Sequence, residues 1–421
     1  MRSKLLNIIK VVDKTSIYSM SQLLIRALSG PASILLIAKN LTIDQQAIYY
    51  IFISVSSIQW VFELGMSTCL VQFLSGEKDI KKTNDYITFG FYYFSLCSII
   101  TLIATSIYCY WVLGAKDISY WLLPWFLYAT ALAGTILLNI QLVTEESTGK
   151  IENVYKSKFI ASVFQTIVLL GSLFMGGHLY ALGLGGLTYM IVLLYLLRHQ
   201  TLYILSLVSK FNKSNISRTF KKIMPFQSRM ALVWISGYFY WNFYNIYIYK
   251  YISIDLSAKF GLVNAALSAI SFAMIAIFQT KRSNISKLIF SREKEKTSRI
   301  FYNSLSIGSF GYISLSVIFI LLSMIMSIDT RLLSGILLLS FIVLRFLSML
   351  LEYVLIYLRC FRCEPLSNIT TFSYIIIPIS SVLSYNIFGS VGIFAIPLFC
   401  HFIFLFISVM KAVKFIKRFK I

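Results

Sequence analysis

The sequence predicts an all-α membrane protein that crosses the bilayer about twelve times. Three observations carry that expectation: apolar blocks of span length, scarcity of charge, and the lopsided placement of what charge there is. Of 421 residues, 58% are hydrophobic and 13% charged, with a mean hydropathy of +0.78, whereas water-soluble domains run near ~25% charged. A water-soluble fold is therefore excluded. Blocks such as 87–112 and 304–328 are uninterrupted, and at about 1.5 Å per residue each is long enough for ~30 Å of hydrocarbon. Barrel strands would instead alternate over segments of about ten residues, and these blocks show no period of two.

Taken in order, spans are predicted at 16–38, 45–74, 87–112, 119–143, 157–177, 179–197, 228–249, 257–280, 302–327, 332–358, 366–386 and 389–410. Ahead of the first, residues 1–15 mix Lys with Leu, Ile and Val at helical spacing, as an interfacial segment does, and no small-residue cleavage site follows. The N-terminus is expected to be retained. Counting a residue at a span's edge with the adjoining connection, 31 of the 38 Lys and Arg fall on the N-terminal side of the membrane, five (Lys39, Lys116, Lys250, Lys259 and Arg331) on the other, and two, Arg26 and Arg345, well inside spans. Basic residues favour cytoplasmic loops, so both termini are expected in the cytoplasm. The net charge of +22 is then a topology signal, with attraction to anionic membrane lipid a secondary effect, and nucleic acid is not needed to account for it.

The longest polar stretches, 198–227 and 281–301, are too short for a folded domain. The machinery must lie among the helices. The expected organisation is a cytoplasmic interfacial segment (1–15), an N-terminal six-helix lobe (16–197), a cytoplasmic linker (198–227), a C-terminal six-helix lobe (228–410) and a basic cytoplasmic tail (411–421). Two internal matches support paired halves. Thr42-Ile43-Asp44 aligns with Ser253-Ile254-Asp255, each before the second span of its half, and Gly183-x-x-Gly186 aligns with Gly389-x-x-Gly392 at the start of each last span. An even number of spans per half makes such a repeat parallel, with the natural substrate path between the halves. The six cysteines are scattered; Cys360-x-x-Cys363 alone has chemically meaningful spacing, and no second ligand pair accompanies it. No metal or cofactor is expected.

Arg26 with Ser29-Gly30 in the first span, residues 42–50 before the second, Glu63-Leu64-Gly65-Met66, the basic loop from Gly76-Glu77-Lys78 and the two Gly-x-x-Gly openings together form a pattern. In order and topology it resembles the multidrug/oligosaccharidyl-lipid/polysaccharide exporter superfamily, and within it the polysaccharide branch of Wzx-type O-antigen repeat-unit flippases. The resemblance covers essentially the whole chain. It implies a V-shaped, two-lobed exporter working by alternating access in a bacterial inner membrane. The cargo would be an undecaprenyl-diphosphate-linked oligosaccharide moved from the inner to the outer leaflet. A polysaccharide polymerase and chain-length machinery would be functional partners, and a proton or sodium ion a coupling partner.

A charge at the bilayer centre costs at least ~2.5–3.5 kcal/mol on insertion scales, so each needs a partner or a wet cavity. Arg26, Glu63, Arg345 and Glu352 stand in that position. Arg345 and Glu352 are seven residues apart and share one helix face. The guanidinium fork suits phosphate oxygens, so Arg26 and Arg345 are the candidate anion-binding groups. The competing structural reading pairs Arg26 with Glu63 and Arg345 with a polar neighbour. Glu63 and Glu352 are candidates for a coupling ion or charge pair. Asp85, at the start of the third span, and His401, in the last, complete the titratable set, with helix-dipole and packing roles as their plainer readings. Asn139, Gln141, Asn242, Asn245 and Asn264 supply amides for sugar hydroxyls or for helix–helix bonds. The aromatic run 238–249 rises ~18 Å along a helix, more than an interfacial belt requires, so part of it is a candidate cavity lining.

Other function classes fit less well. A cation-coupled multidrug-type exporter of the same superfamily would place acids where this chain places Arg26 and Arg345. A peptidoglycan-precursor flippase would carry two further spans. A polytopic polysaccharide polymerase would carry a large periplasmic loop, and the corresponding connections here are all short. A transporter, not an enzyme, is the expectation.

Overall fold

The computed structural model describes residues 14–418, apart from 76, 78, 115–117, 209–212, 283–284, 286–287, 290, 292, 334 and 362–364. The side chains of 14–17, 19–24, 26–28, 213–216, 225–226, 228–230 and 232–234 also lie outside the description. The expected interfacial segment 1–15 and Cys363 therefore fall wholly or mainly outside the described residues.

The described chain is all-α. The first unit contains α1 (Lys14–Asn40), α2 (Ile43–Ser56), α3 (Gln59–Glu63), α4 (Met66–Ser75), α5 (Ile80–Leu113), α6 (Ile118–Leu137), α7 (Asn139–Ser147), α8 (Ile151–Phe174), α9 (Tyr180–Leu196) and α10 (Arg198–Val208). Then come α11 (Lys213–Tyr251), α12 (Ile254–Gln279), α13 (Lys294–Ile325), α14 (Gly335–Arg359), α15 (Ser367–Phe388) and α16 (Ala395–Arg418). Where α2–α4, α6–α7 and α9–α10 are each taken as one interrupted rod, the described helices make twelve rods, in the order of the twelve expected spans. Among the described residues nine are long and apolar enough to cross a membrane, and a tenth follows if α9 and α10, bent by 75° at their junction, form one span.

Local signals explain where the helices start. The Thr42 hydroxyl accepts from Gln45 N at 3.2 Å while the Gln45 carboxamide accepts from Thr42 N at 3.0 Å, a reciprocal cap that opens α2. Ser253 Oγ accepts from Leu256 N at 3.3 Å and opens α12 in the same way. Asp44 and Asp255 sit in the two first turns, where an acid is favoured by the helix dipole. The first internal match is thus a repeated helix start. The second does not hold in three dimensions. Gly183 lies inside α9, where a Cβ would meet Leu127 Cβ at 2.8 Å, whereas Gly389 ends α15 at φ 67°, open to glycine and strained for other residues.

The chain divides into two compact units, Met1–Tyr238 and Phe239–Ile421, with the division inside α11. Much of the expected linker is helical, as α10 and the start of α11. In the first unit α8 packs on α1 and α9, and α9 on α6. Its main core joins Met66, Leu70, Ile87, Phe94, Ile136 and Ile140 from α4 to α7. In the second unit α12 packs on α13 and α14, and α16 on α14 and α15. Leu96, Ile99, Ile103 and Ile107 stand exposed on one side of α5, a stripe suited to lipid. In the early, polar part of α11, Lys222 donates to the Tyr86 hydroxyl, which raises its pKa above the ordinary lysine value against the opposing effect of desolvation.

Candidate functional site

In the second unit, α14 carries Arg345, Ser348 and Glu352 at i, i+3 and i+7, one polar stripe on an apolar helix. Arg345 is 7% exposed. Its Nη2 donates to Asn264 Oδ1 and, at 2.9 Å, to Ser268 Oγ. These two acceptors are one turn apart on α12. The guanidinium carbon lies 4.8 Å from the Trp241 ring centre and 5.5 Å from that of Phe341, within cation–π range. Its Nε is buried without a hydrogen-bond partner, and among the described residues no carboxylate pairs with it. Five N–H donors therefore meet two neutral acceptors.

The stripe continues through a buried hydrogen-bonded cluster. The Tyr240 hydroxyl lies 2.6 Å from Ser348 Oγ and 2.7 Å from His401 Nε2, and Ser348 Oγ lies 3.0 Å from the same nitrogen. His401 Nδ1 is 3.2 Å from Pro397 O, which places a proton on Nδ1 and leaves Nε2 to accept from one of the two hydroxyls, while Ser348 Oγ also lies within donating distance, 3.1 Å, of Leu344 O. Tyr374 stacks on Tyr240 at 4.7 Å and donates to Glu352 Oε1 at 3.4 Å. Arg345 and Glu352 thus share a face as expected but do not pair.

In the first unit, Glu63 ends α3 and is 9% exposed. Leu64 and Gly65 follow with φ of 51° and 71°, so the second span breaks here. In a bilayer, freed backbone groups must find partners within the protein. Tyr93 Oη lies 3.3 Å from Phe62 O and 3.2 Å from Glu63 O, Cys97 Sγ donates to Phe62 O at 3.4 Å, and Gln227 Nε2 donates to Tyr93 Oη at 2.7 Å. The carboxylate itself accepts from Ser67 Oγ and, at 3.5 Å, from Asn139 Nδ2. Asn139 opens α7, at the break in the fourth span.

Among the residues singled out from sequence, Arg345, Glu352 and His401 come together in the second unit. Glu63 stands in the first. Arg26 is on α1, its side chain outside the described residues. Asp85 is half-buried on α5 but does not begin it: the helix starts at Ile80, capped by Asp79, which accepts from Lys81 N at 2.9 Å. Of the amides, Asn264 bonds to Arg345 and Asn139 to Glu63. Sequence reasoning missed Ser268, Ser348 and Tyr374. The first two are readable as polar residues repeating at helical spacing, Asn264–Ser268 and Arg345–Ser348–Glu352.

No protein-family model matches the chain, and no curated protein matches it in sequence. Solved structures do match in shape. An inward-facing multidrug resistance MATE family transporter of the MOP superfamily superposes with a TM-score of 0.64 at 12% identity, covering 96% of this chain and 99% of its own. The lipid II flippase MurJ in an inward closed conformation gives 0.62 at 14% identity, covering 95% and 87%. The MATE multidrug transporter DinF-BH gives 0.56 at 14% identity, covering 95% of each chain. These neighbours are transporters and flippases, not enzymes, and over nearly its whole length this chain has the fold they share.

Proposed function

We propose that this protein is a flippase of the bacterial inner membrane with both termini cytoplasmic. Its cargo is an undecaprenyl-diphosphate-linked oligosaccharide of the O-antigen or lipopolysaccharide kind, carried from the inner to the outer leaflet by alternating access. The observation that supports this reading is Arg345: a buried guanidinium held by one amide, one hydroxyl and two aromatic rings, with donors left over and no carboxylate beside it among the described residues. Such a group lacks an anion. A diphosphate supplies several acceptor oxygens in the geometry a guanidinium fork matches. Arg26 is the second proposed anion-binding residue.

Glu352 and His401, linked to the same helix face through Tyr374, Tyr240 and Ser348, are proposed to respond to a coupling proton or sodium ion, with Glu63 the corresponding acid of the first unit. The polymerase and chain-length machinery that use the flipped product are the proposed functional partners. Export of organic cations is the rival reading, and a buried unpaired cation disfavours it. The test is complementation of a flippase-deficient strain. Wild-type protein restores surface polysaccharide, while Arg345→Ala inserts normally and fails to. Full complementation by Arg345→Ala and by Arg26→Ala would remove the anion site.

A further inference from the structure

The first unit holds a cavity of about 250 Å³ between α1 and α8, lined by Ser29, Ser33, Ser162, Gln165, Thr166 and Leu169. Five of the six lining side chains are polar although α8 is long and apolar enough to cross a membrane. Polar residues in such helices ordinarily bond to neighbouring helices or to their own backbone. Ser33 does so, through Ser29 O at 2.8 Å. Gln165 and Thr166 do not: they are half-buried, and among the described residues neither side chain makes a hydrogen bond. A Cβ placed on Gly30 would meet nothing within 4 Å.

The lining decides what the cavity suits. Among the described residues its lining contains no carboxylate and no aromatic ring, so neither a divalent cation nor a flat organic cation finds its usual partners there. The volume far exceeds a bare ion's and lies just below the ~300–1,000 Å³ of drug-sized ligand pockets. Amide and hydroxyl groups that both donate and accept, around a space of that size, match a ligand bearing several hydroxyls on one or two rings. We infer that this pocket is a neutral carbohydrate subsite, with Gln165 and Thr166 its principal hydrogen-bonding groups. The inference rests on the reading that the cargo carries sugars. It adds a glycan contact in the first unit that does not depend on Arg345.

Because Gln165 and Thr166 bond to no described residue, Thr166→Val and Gln165→Leu remove no hydrogen bond among the described residues, and Leu169→Trp fills the space by a separate route. The test is saturation-transfer NMR on the full-length protein in nanodiscs. The probes are methyl glycosides of glucose, galactose, mannose, rhamnose and N-acetylglucosamine, with tetraphenylphosphonium as an apolar cation. At least one glycoside should bind the wild type, weaken five-fold or more in each of the three variants, and bind unchanged to Arg345→Ala, while melting temperatures stay within a few degrees. Glycoside binding that is equal in wild type and variants would overturn the inference, as would its absence from the wild type. So would a pocket that takes tetraphenylphosphonium and loses it on Gln165→Leu. If glycosides bind as expected while Arg345→Ala still complements, the subsite stands and the anion reading fails; the converse pattern separates them the other way.

Discussion

Glu63 in the first unit and Arg345 in the second are both buried charges, and each is met by one serine hydroxyl and one asparagine amide: Ser67 and Asn139 for the acid, Ser268 and Asn264 for the base. What differs is the backbone. Glu63 lies at a break, with Leu64 and Gly65 in the left-handed region and its own carbonyl accepting from Tyr93. Arg345 lies inside the unbroken α14. A carboxylate has only acceptor sites to fill, and neighbouring donors supply them, so Glu63 ties one broken helix to another. A guanidinium has five donors, and two neutral acceptors leave it incomplete. Of two comparable buried charges, the acid is built into the architecture and the base is left available.

The largest expected effect follows from the base. Arg345→Ala should abolish polysaccharide complementation, and Arg345→Lys, which keeps the charge and loses the fork, should restore only part of it. Stability should divide in the opposite sense. Arg345→Met should leave the melting temperature level or raise it, because a buried ion exchanged for a packed apolar group is often neutral or stabilising by ~1–4 kcal/mol. Asn264 and Ser268 keep each other as partners at 3.5 Å. Glu63→Leu orphans Ser67 and Asn139 and should cost about 1–3 kcal/mol in detergent unfolding, with Glu63→Gln, which retains an acceptor oxygen, falling between. A smaller loss, about 1 kcal/mol, is expected for Tyr93→Phe at the break and for Tyr240→Phe beside His401. Tyr240→Phe alone should also reduce transport, since only Tyr240 is hydrogen-bonded to the Arg345 stripe, through Ser348. Equal transport defects in these two variants would blur the contrast between the units.

Much of this was legible in the sequence because it depends on local physics. Apolar block length gave the rods, and Thr42 and Ser253, each followed by Ile-Asp, marked equivalent helix starts through hydroxyl caps that need only the next three residues. The shared face of Arg345 and Glu352 followed from helical geometry. The interruptions were harder. The block 45–74 is longer than a span requires, but the left-handed turn at Leu64 is supported by donors from α5 and α11 that lie far away in sequence. Gly183 and Gly389 misled because one spacing served two purposes, close helix packing and a helix stop. The partners of Arg345 were hidden for a tertiary reason: Asn264, Ser268 and Trp241 lie about 80 to 100 positions away in the chain, and no local pattern says which polar stripe on one helix meets which on another.

The account turns on whether Arg345 is an anion site, and the most direct measurement is the affinity of farnesyl diphosphate for purified wild-type and Arg345→Met protein at constant ionic strength. Losing a charge-assisted, two-pronged contact worth ~1.5–3 kcal/mol should weaken binding by about 10- to 150-fold, while farnesol, which lacks the diphosphate, should bind both proteins alike. Equal affinity of farnesyl diphosphate for the two proteins would contradict the account and leave Arg345 as a packing anchor.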